Sequence, residues 1–536
     1  MPKFNVIIFC GPAEPNTKTR NYGAHRLATH MREHGYTCLI VDFCTILDWK
    51  TYQEILDLTM DENTYMVGIS TTFLPRRIVP LDNMNPVYQE FDSFTGDIKT
   101  YTPAQAENTL LIDDLAHSRG ASWLQYIKKI NPKTKIVFGG TGVASYMDYK
   151  EVDNFMYGLS ENMVIDYLNS VSGRGTKRIF NRVLDYDSKA QGTDWDFTTS
   201  ATRYTDLDFI TPNETLALEI GRGCRFSCSF CSFPLIGQRN INDYVKCEES
   251  LRTELMENYE KWGTTQYYVV DDTFNDSTEK LLRVKSVIDS LPFKFRFWCY
   301  LRADILAAHP EQIQILKDMG LEETFFGIET FHPLAGKSIG KGMKAEKIKA
   351  VLAKCKEIWK DEVFISAGFI VGLPYEGESS IAKTATYLQD PECPIHSAWL
   401  HQLSMFDSTA DPRLKWLYKS EYDKHYEKHG YYFDPPKQLT DFVLWRKKED
   451  GSGIYTYEQA KEIADHYNAI IPHKQVINFY LQSFDHPIIS NRELTRKMPI
   501  EEYKELQGSL GDLTEIFYHT VKNKYLDPLL KKLKSD

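Results

Sequence analysis

Short apolar runs alternate with amphipathic stretches along the first third of the chain. FNVIIF (4–9), TCLIVDF (37–43), YMVGIST (65–71), TKIVFGG (134–140) and VDNFMYG (152–158) read as short buried strands. Between the first two, GAHRLATHMREHG (23–35) puts Leu27, His30, Met31 and His34 at helical spacing, and Gly35 ends the helix. Leu124, Ile127 and Ile130 mark another helix before the fourth run. Strand and helix in alternation predict a parallel, doubly wound α/β sheet over residues 1–171. Residues 74–105, with Pro75, Pro80 and Pro86, interrupt the pattern and read as a long insertion or loop. Residues 172–210 show no clear period and read as an extended connector.

A second series starts at TLALEIG (215–221) and continues through QYYVVDD (266–272), FRFWCYL (295–301), TFFGIET (324–330), FISAGFIVGLP (364–374) and SAWLHQLSM (397–405). Helical patterns such as EESLRTELMENYEKWG (248–263) and KAEKIKAVLAKCKEIWK (344–360) lie between these runs. Six strands with intervening helices predict a partial, TIM-like (β/α)6 barrel over 211–410, with functional residues at the carboxyl ends of its strands. Residues 411–536 turn polar and aromatic and read as a mainly helical region, TYEQAKEIADHYNAII (456–471) being its clearest helix. Tyr431, Tyr432, Phe433 and Trp445 in that region suit either a lid over the barrel mouth or a structural brace.

The 536 residues exceed one ordinary domain. No run approaches eighteen uninterrupted apolar residues, and the amino terminus has no signal-peptide pattern, so a soluble cytoplasmic protein without membrane contact is expected. A formal charge of −11 argues against a wide grip on a phosphate backbone, and no nucleic-acid partner is expected. Ten cysteines are too sparse for a disulfide scaffold. Cys10 and Cys299 fall inside strand patterns and read as small buried hydrophobes.

Three of the ten crowd into GCRFSCSFC (223–231). One reading is a structural zinc site, but zinc takes four ligands, no histidine lies between His117 and His309, and Cys247 gives only half of a second pair. The other is an iron–sulfur cluster, since bunched thiolates on a loop need a cation or cluster to neutralise them. Cys224, Cys228 and Cys231 would then leave one iron of a cubane open.

The spacing C-x3-C-x2-C, with Phe230 before the last cysteine and the loop following the first barrel strand, closely resembles the radical S-adenosylmethionine (SAM) enzymes over most of 216–406. That resemblance implies a [4Fe-4S] cluster on the three cysteines whose open iron chelates SAM, and reductive cleavage of SAM to methionine and a 5′-deoxyadenosyl radical. It implies SAM-facing roles for Phe230 before the last cysteine, for Asp271 and Asp272 at the second strand, for Arg302 beside Asp304 at the third, for Glu329 of GIET at the fourth, and for Ile370 and Gly372 of GFIVGLPYEGE at the fifth. Arg302 is expected to fork onto the methionine carboxylate, Glu329 to accept from the ribose, and Gly372 to admit the cofactor to the backbone.

Residues 4–170 resemble the cobalamin-binding domain that precedes the radical domain in one subclass, through NYGAHRLATHMREHGYTCLIVDF, VGIST, IVFGGTG and YGLSENMVIDYL. The resemblance places Ser70, Gly139, Gly140, Gly158 and Glu161 against cobalamin. The D-x-H-x-x-G sequence is absent, so cobalt would be bound without a histidine from that motif. His25, His30 and His34 share a helix face and read as surface or groove residues. Cobalamin-dependent methylation, or a radical cyclisation or rearrangement, of a small-molecule substrate is implied, with a one-electron donor such as flavodoxin or ferredoxin as partner. A radical SAM enzyme with a cobalamin-free, degenerate first domain is one alternative, and a non-enzymatic zinc-binding module is the second.

Overall fold

The computed structural model describes residues 3–11, 19–72, 74, 76–78, 88–91, 98–101, 122–186, 195–212, 214–233, 235–405, 416, 419–433, 445–471, 502, 505 and 519–535. Two six-stranded sheets, parallel throughout, organise it. The first takes β1 (Val6–Cys10), β2 (Cys38–Val41), β3 (Met66–Ser70), then, beyond a three-stranded antiparallel sheet of β4 (Arg76–Ile78), β5 (Tyr88–Phe91) and β6 (Ile98–Tyr101), β7 (Lys135–Gly139), β8 (Asn154–Gly158) and β9 (Val183–Tyr186). Its order is β2-β1-β3-β7-β8-β9, so the chain reverses direction across the sheet between β1 and β3. Ligands of such sheets bind outside the carboxyl ends at that switch point.

The apolar runs form strands because both faces are covered. Every residue of β1 and β2 is buried. One face packs on Tyr52, Trp123 and Tyr146, the other on Ala24, Met31 and Leu168. Helix Tyr22–Glu33 is started by the Asn21 side chain, which accepts from the Ala24 N–H.

The second sheet runs in chain order: β10 (Leu216–Leu218), β11 (Gln266–Val269), β12 (Arg296–Leu301), β13 (Leu321–Glu329), β14 (Phe364–Val371) and β15 (Ser397–Gln402). This is the expected six-strand partial barrel. Helices such as Glu248–Trp262 and Thr278–Asp289 lie between its strands, and Leu251, Leu255, Leu281 and Val284 bury their apolar faces in its core.

Three assignments differ from the pattern reading. The segment read as an insertion or loop supplies β4 to β6. The connector carries β9, which pairs parallel to β8 and widens the first sheet. The carboxyl-terminal region is not only helical: β16 (Tyr431–Phe433) and β17 (Trp445–Lys447) form an antiparallel ribbon. Its last helix, Asp527–Ser535, returns to the first domain, where Tyr525, Leu529 and Leu533 join the core under β1 and β2. The Tyr525 hydroxyl donates to the Ile40 carbonyl at 3.2 Å and accepts from the Asp42 N–H at 3.0 Å. Among the described residues no helix is long and apolar enough to cross a membrane.

A seam of buried charges joins the sheets. Arg20 forks onto Glu214 with Nε at 2.6 Å and Nη2 at 3.3 Å, and donates Nη1 to Asp42 at 2.9 Å. Arg26 reaches Glu219 at 3.6 Å, Arg222 reaches Glu161 at 2.9 Å, and Lys246 pairs with Glu254, which also accepts from the Tyr22 hydroxyl. Burial raises the Glu219 carboxyl, but Arg222, Arg26 and Lys246 outweigh it and draw its pKa from 4.5 to about 2. A lowered folded-state pKa stabilises the fold fully above the unfolded value and loses that contribution as pH falls through the folded one. The difference is worth about 3 kcal/mol, so the urea midpoint should fall as pH drops from about 4.5 toward 2. Glu219→Gln should flatten that acid limb, and an unchanged limb in the variant would count against the assignment.

Candidate functional site

The loop after β10 closes on itself through its backbone. The Cys224 N–H donates to the Leu235 carbonyl at 2.8 Å, the Gln238 N–H to the Cys224 carbonyl at 3.0 Å, and the Cys231 N–H to the Cys228 carbonyl at 3.0 Å. Gly223 makes the entry turn at φ +100°, and a side chain there would run into the Leu235 carbonyl. Cys224 and Cys228 are buried and Cys231 is half-buried. Burial raises the Cys224 thiol and pushes Cys231 up to about 12, so thiolates here need positive charge nearby.

Arg302 supplies some of it, donating Nη1 to Cys228 Sγ at 3.1 Å while its Nε and Nη2 fork onto Asp304 at 3.0 and 2.6 Å. The guanidinium also stacks on Phe226, 4.0 Å from the ring centroid. Among the described residues, His25, Asp42 and Asp208 form the one group of three or more metal-ligand side chains whose atoms all lie within 4.8 Å. The three cysteine sulfurs are spread more widely than that. Thiolates sharing a zinc at 2.3 Å would sit about 3.8 Å apart, whereas the ligands of a cubane stand off its separate irons. Cys247 is accounted for otherwise: it caps helix Glu248–Trp262, accepting from the Ser250 N–H. The donor set fits a cluster better than zinc.

The other barrel residues divide into two groups. Asp272 and Arg302 act electrostatically on Cys224, and Glu329 is tied through Lys341 to the neighbourhood of Phe230. Burial, with Asp271 and Glu219 adding repulsion, raises Asp272 to about 7. Glu329 sits at φ +68° where the β13–β14 register shifts, a backbone state that non-glycine residues adopt rarely and mostly at functional sites. Lys341 holds it, donating to Glu329 Oε1 at 3.0 Å and to the Gly327 carbonyl at 2.6 Å, and lies 5.8 Å from the Phe230 ring centroid. A side chain on Gly327 would meet Glu329 Oε1 at 2.6 Å, which explains the glycine of GIET.

Asp271 and Gly372 belong to the scaffold. Asp271 is fully buried, accepts from the Ile220 N–H at 2.8 Å and pairs with Lys280 at 2.8 Å. Gly372, at φ +99°, makes room for Trp445: a side chain there would lie 2.6 Å from the indole. Tyr431 donates to the Gly372 carbonyl at 2.7 Å and Trp445 Nε1 to the Leu403 carbonyl at 2.7 Å, so these two aromatics brace the ends of β14 and β15. Arg302 also departs from expectation, since its fork is engaged by Asp304 and its remaining nitrogen meets a sulfur. Ile370, half-buried on β14, packs against the barrel core opposite His401 of β15.

At the switch point of the first sheet lies a cavity of about 250 Å³, and Ser70, Gly139, Gly140, Gly158 and Glu161 all line it. Gly140 takes φ +105° with its missing side chain facing Thr72. Arg222 lines the same cavity. It leaves the barrel two residues before Cys224, pairs with Glu219 and Glu161, and keeps a buried Nη1 without a hydrogen-bond partner. His25 is not a surface residue: its Nε2 lies 2.9 Å from Asp42 Oδ2 in the seam. Lys341 and Arg222 were not singled out by sequence reasoning; the one available hint was their place in GKGMK and GRGC, beside the motif residues.

Residues 218–388 match the radical SAM superfamily. The chain is similar to an uncharacterised methyltransferase of Synechocystis sp., 24% identical over 64% of this chain and 62% of that protein. It is also similar to the hopanoid C-2 methylase of Rhodopseudomonas palustris, 24% identical over 33% of this chain and 34% of that one. The matched regions thus span under two thirds of these relatives. In fold it resembles the radical SAM methyltransferase TsrM of Kitasatospora setae, solved with cobalamin and a [4Fe-4S] cluster, at 13% identity and a TM-score of 0.55, covering 100% of this chain and 99% of that one.

The bracing role of Trp445 is testable. Gly372→Ala should destabilise the chain by about 1–3 kcal/mol through overpacking, and Trp445→Leu in the same chain should recover part of that loss in a double-mutant cycle. Additive effects on the melting temperature would refute the contact.

Proposed function

We propose that this chain, a radical SAM enzyme by its domain at 218–388, is a cobalamin-dependent methyltransferase that acts on a small molecule. One observation carries the reading: Arg222 spans from the end of the cysteine-bearing strand to Glu161, bringing the cysteine loop and the first-sheet cavity to the same domain boundary. The methyltransferase names of the relatives and the bound groups of the TsrM structure agree with it.

When bound and reduced, a [4Fe-4S] cluster on Cys224, Cys228 and Cys231 supplies the electron that cleaves SAM, and cobalamin supplies a methyl carrier. The chain's own residues orient and shield. Arg302 donates to a cluster thiolate and so stabilises its negative charge. Glu329, held ready by Lys341, is placed to accept hydroxyl hydrogens of a ribose. Asp272, raised to about 7, accepts a hydrogen bond from an amine when ionised and accepts it more weakly as pH falls below that value. In the first domain, Ser70 and the backbone at Gly139, Gly140 and Gly158 form a cradle of about 250 Å³. That volume is small for a whole corrinoid, so these residues would hold only part of one.

Anaerobic reconstitution should load about four irons per chain, and the wild type should convert SAM to 5′-deoxyadenosine under reduction. Replacing Cys224, Cys228 or Cys231 with alanine should abolish both, while Cys247→Ala keeps both. Full iron and cleavage in Cys228→Ala would sink the assignment. Hydroxocobalamin should bind, as read by its absorbance on the folded protein, and Gly140→Val should abolish uptake. A folded wild type that takes up none would reduce the first domain to a cobalamin-free fold.

A further inference from the structure

The seam holds a buried cluster that the proposed reaction leaves unused. His25 of helix Tyr22–Glu33, Asp42 just after β2 and Asp208 of the short turn Asp206–Asp208 meet there, each 0–1% exposed. One ligand atom from each lies within 4.8 Å of the others. His25 Nε2 is 2.9 Å from Asp42 Oδ2, and Arg20 donates to that same oxygen at 2.9 Å. A carboxylate accepts, so Nε2 carries the ring's proton and the neutral ring leaves Nδ1 as a bare lone pair. Nδ1 lies 4.0 Å from Asp208 Oδ1, beyond hydrogen-bond reach, and both atoms are buried without a hydrogen-bond partner. The other oxygen of Asp208 is engaged, accepting from the Thr205 N–H at 2.5 Å and the Thr205 hydroxyl at 3.0 Å.

Two acceptors that approach each other in a dry interior need a cation or a pair of donors between them. The local charge asks for the cation. Asp42, Glu214 and Asp208 are three carboxylates, and among the described residues Arg20 is the one guanidinium that meets any of them, so two negative charges lack a counter-charge. Buried charges are paired or coordinate metals. A histidine whose far nitrogen donates to a carboxylate, fixing the tautomer and turning the other nitrogen outward, is the usual arrangement of a metal-bound imidazole. The Tyr204 ring packs 4.6 Å from the His25 ring centroid, and its hydroxyl is also buried without a hydrogen-bond partner.

We infer that this cluster is a structural zinc site, with His25 Nδ1 and Asp208 Oδ1 as ligands and Asp42 as the carboxylate that orients the ring. Imidazole nitrogen with carboxylate oxygen is a donor set that zinc accepts. Two ligands of a tetrahedral zinc stand about 3.4 Å apart, so the pair closes by about 0.6 Å around the ion. The Tyr204 hydroxyl and water are the oxygen donors at hand for its other positions. Arg20 does not compete for the place, since Asp42 and Glu214 engage its guanidinium. His25 belongs to the first domain and Asp208 to the segment that leads into β10, so the ion clamps the barrel's first strand to the first sheet. The inference stands apart from the radical SAM reading and concerns a different metal on different residues.

The test measures metals in the full chain, produced with added zinc, reconstituted anaerobically with iron and sulfide so that the cysteines are occupied, and then desalted. Mass spectrometry of the elements should find about one zinc per chain beside the iron. Asp208→Asn, which keeps the side chain's size, and His25→Gln should each lower zinc at least about tenfold at unchanged iron. Zinc-edge X-ray absorption of the wild type should show only nitrogen and oxygen neighbours, at about 2.0–2.2 Å, with none of the sulfur at about 2.3 Å that zinc on the cysteine loop would give. That spectrum decides the matter even where neither variant folds. A wild type without zinc, its two acceptors bridged by water or a proton, would overturn the proposal, as would another metal in zinc's place. Sulfur neighbours would move the zinc to the cysteines, and full zinc in both variants would remove it from this site; either result also overturns it. Zinc on nitrogen and oxygen in a chain that loads no iron would instead sink the radical SAM reading and leave this one standing.

Discussion

The geometry of this chain depends on charges buried between its two sheets. Arg20, Arg26 and Arg222 each carry a guanidinium into the domain boundary and meet Glu214, Glu219 and Glu161 there. Burying such groups is costly, and a buried pair that loses one partner costs about 3–5 kcal/mol. That cost makes the arrangement specific: any other docking angle would strand several ions at once. Burial brings Lys246 down to about 8 in spite of Glu254, a sign of how dry the seam is. The first-sheet cavity and the cysteine loop are thereby held at one boundary, with Arg222 contributing to both.

A second constraint is local to the cysteines. Burial disfavours the thiolates of Cys224 and Cys231, and the protein brings a positive charge to the loop through the Arg302 contact to Cys228, itself steadied by Asp304 and Phe226. Gly223 turns freely at positive φ, whereas the left-handed Glu329 gives up a favourable backbone conformation. Strain of this kind persists where packing over-determines it, here through Lys341 and the close approach of Gly327.

Most of the architecture was legible in the order of residues. Parallel strands covered on both faces read as continuous apolar runs, and eleven of the twelve strands of the two sheets announce themselves that way; β9 does not, because VLDY carries Asp185 within it and follows no periodic stretch. The return of Tyr525 to Ile40 and Asp42 was equally hidden, being a contact between the two ends of the chain. At the site, the three cysteines were legible because their spacing is local. The roles of Arg302, Gly372 and Asp271 were not, since each is decided by a distant element: Cys228, Trp445 and Lys280 respectively. A motif names the residue types at a strand end, and tertiary packing decides which of them face the cofactor.

The proposed function requires one chain to hold both a cluster on Cys224, Cys228 and Cys231 and a cobalamin at the first-sheet cavity. Electron paramagnetic resonance of the reconstituted, cobalamin-loaded and reduced protein tests it most directly. Two spins per chain are expected, one from the reduced cluster and one from Co(II), each broadened by their mutual dipolar coupling and each unbroadened when the other is omitted. A cluster signal unchanged by added cobalamin, with cobalt remaining in the flow-through, would contradict it.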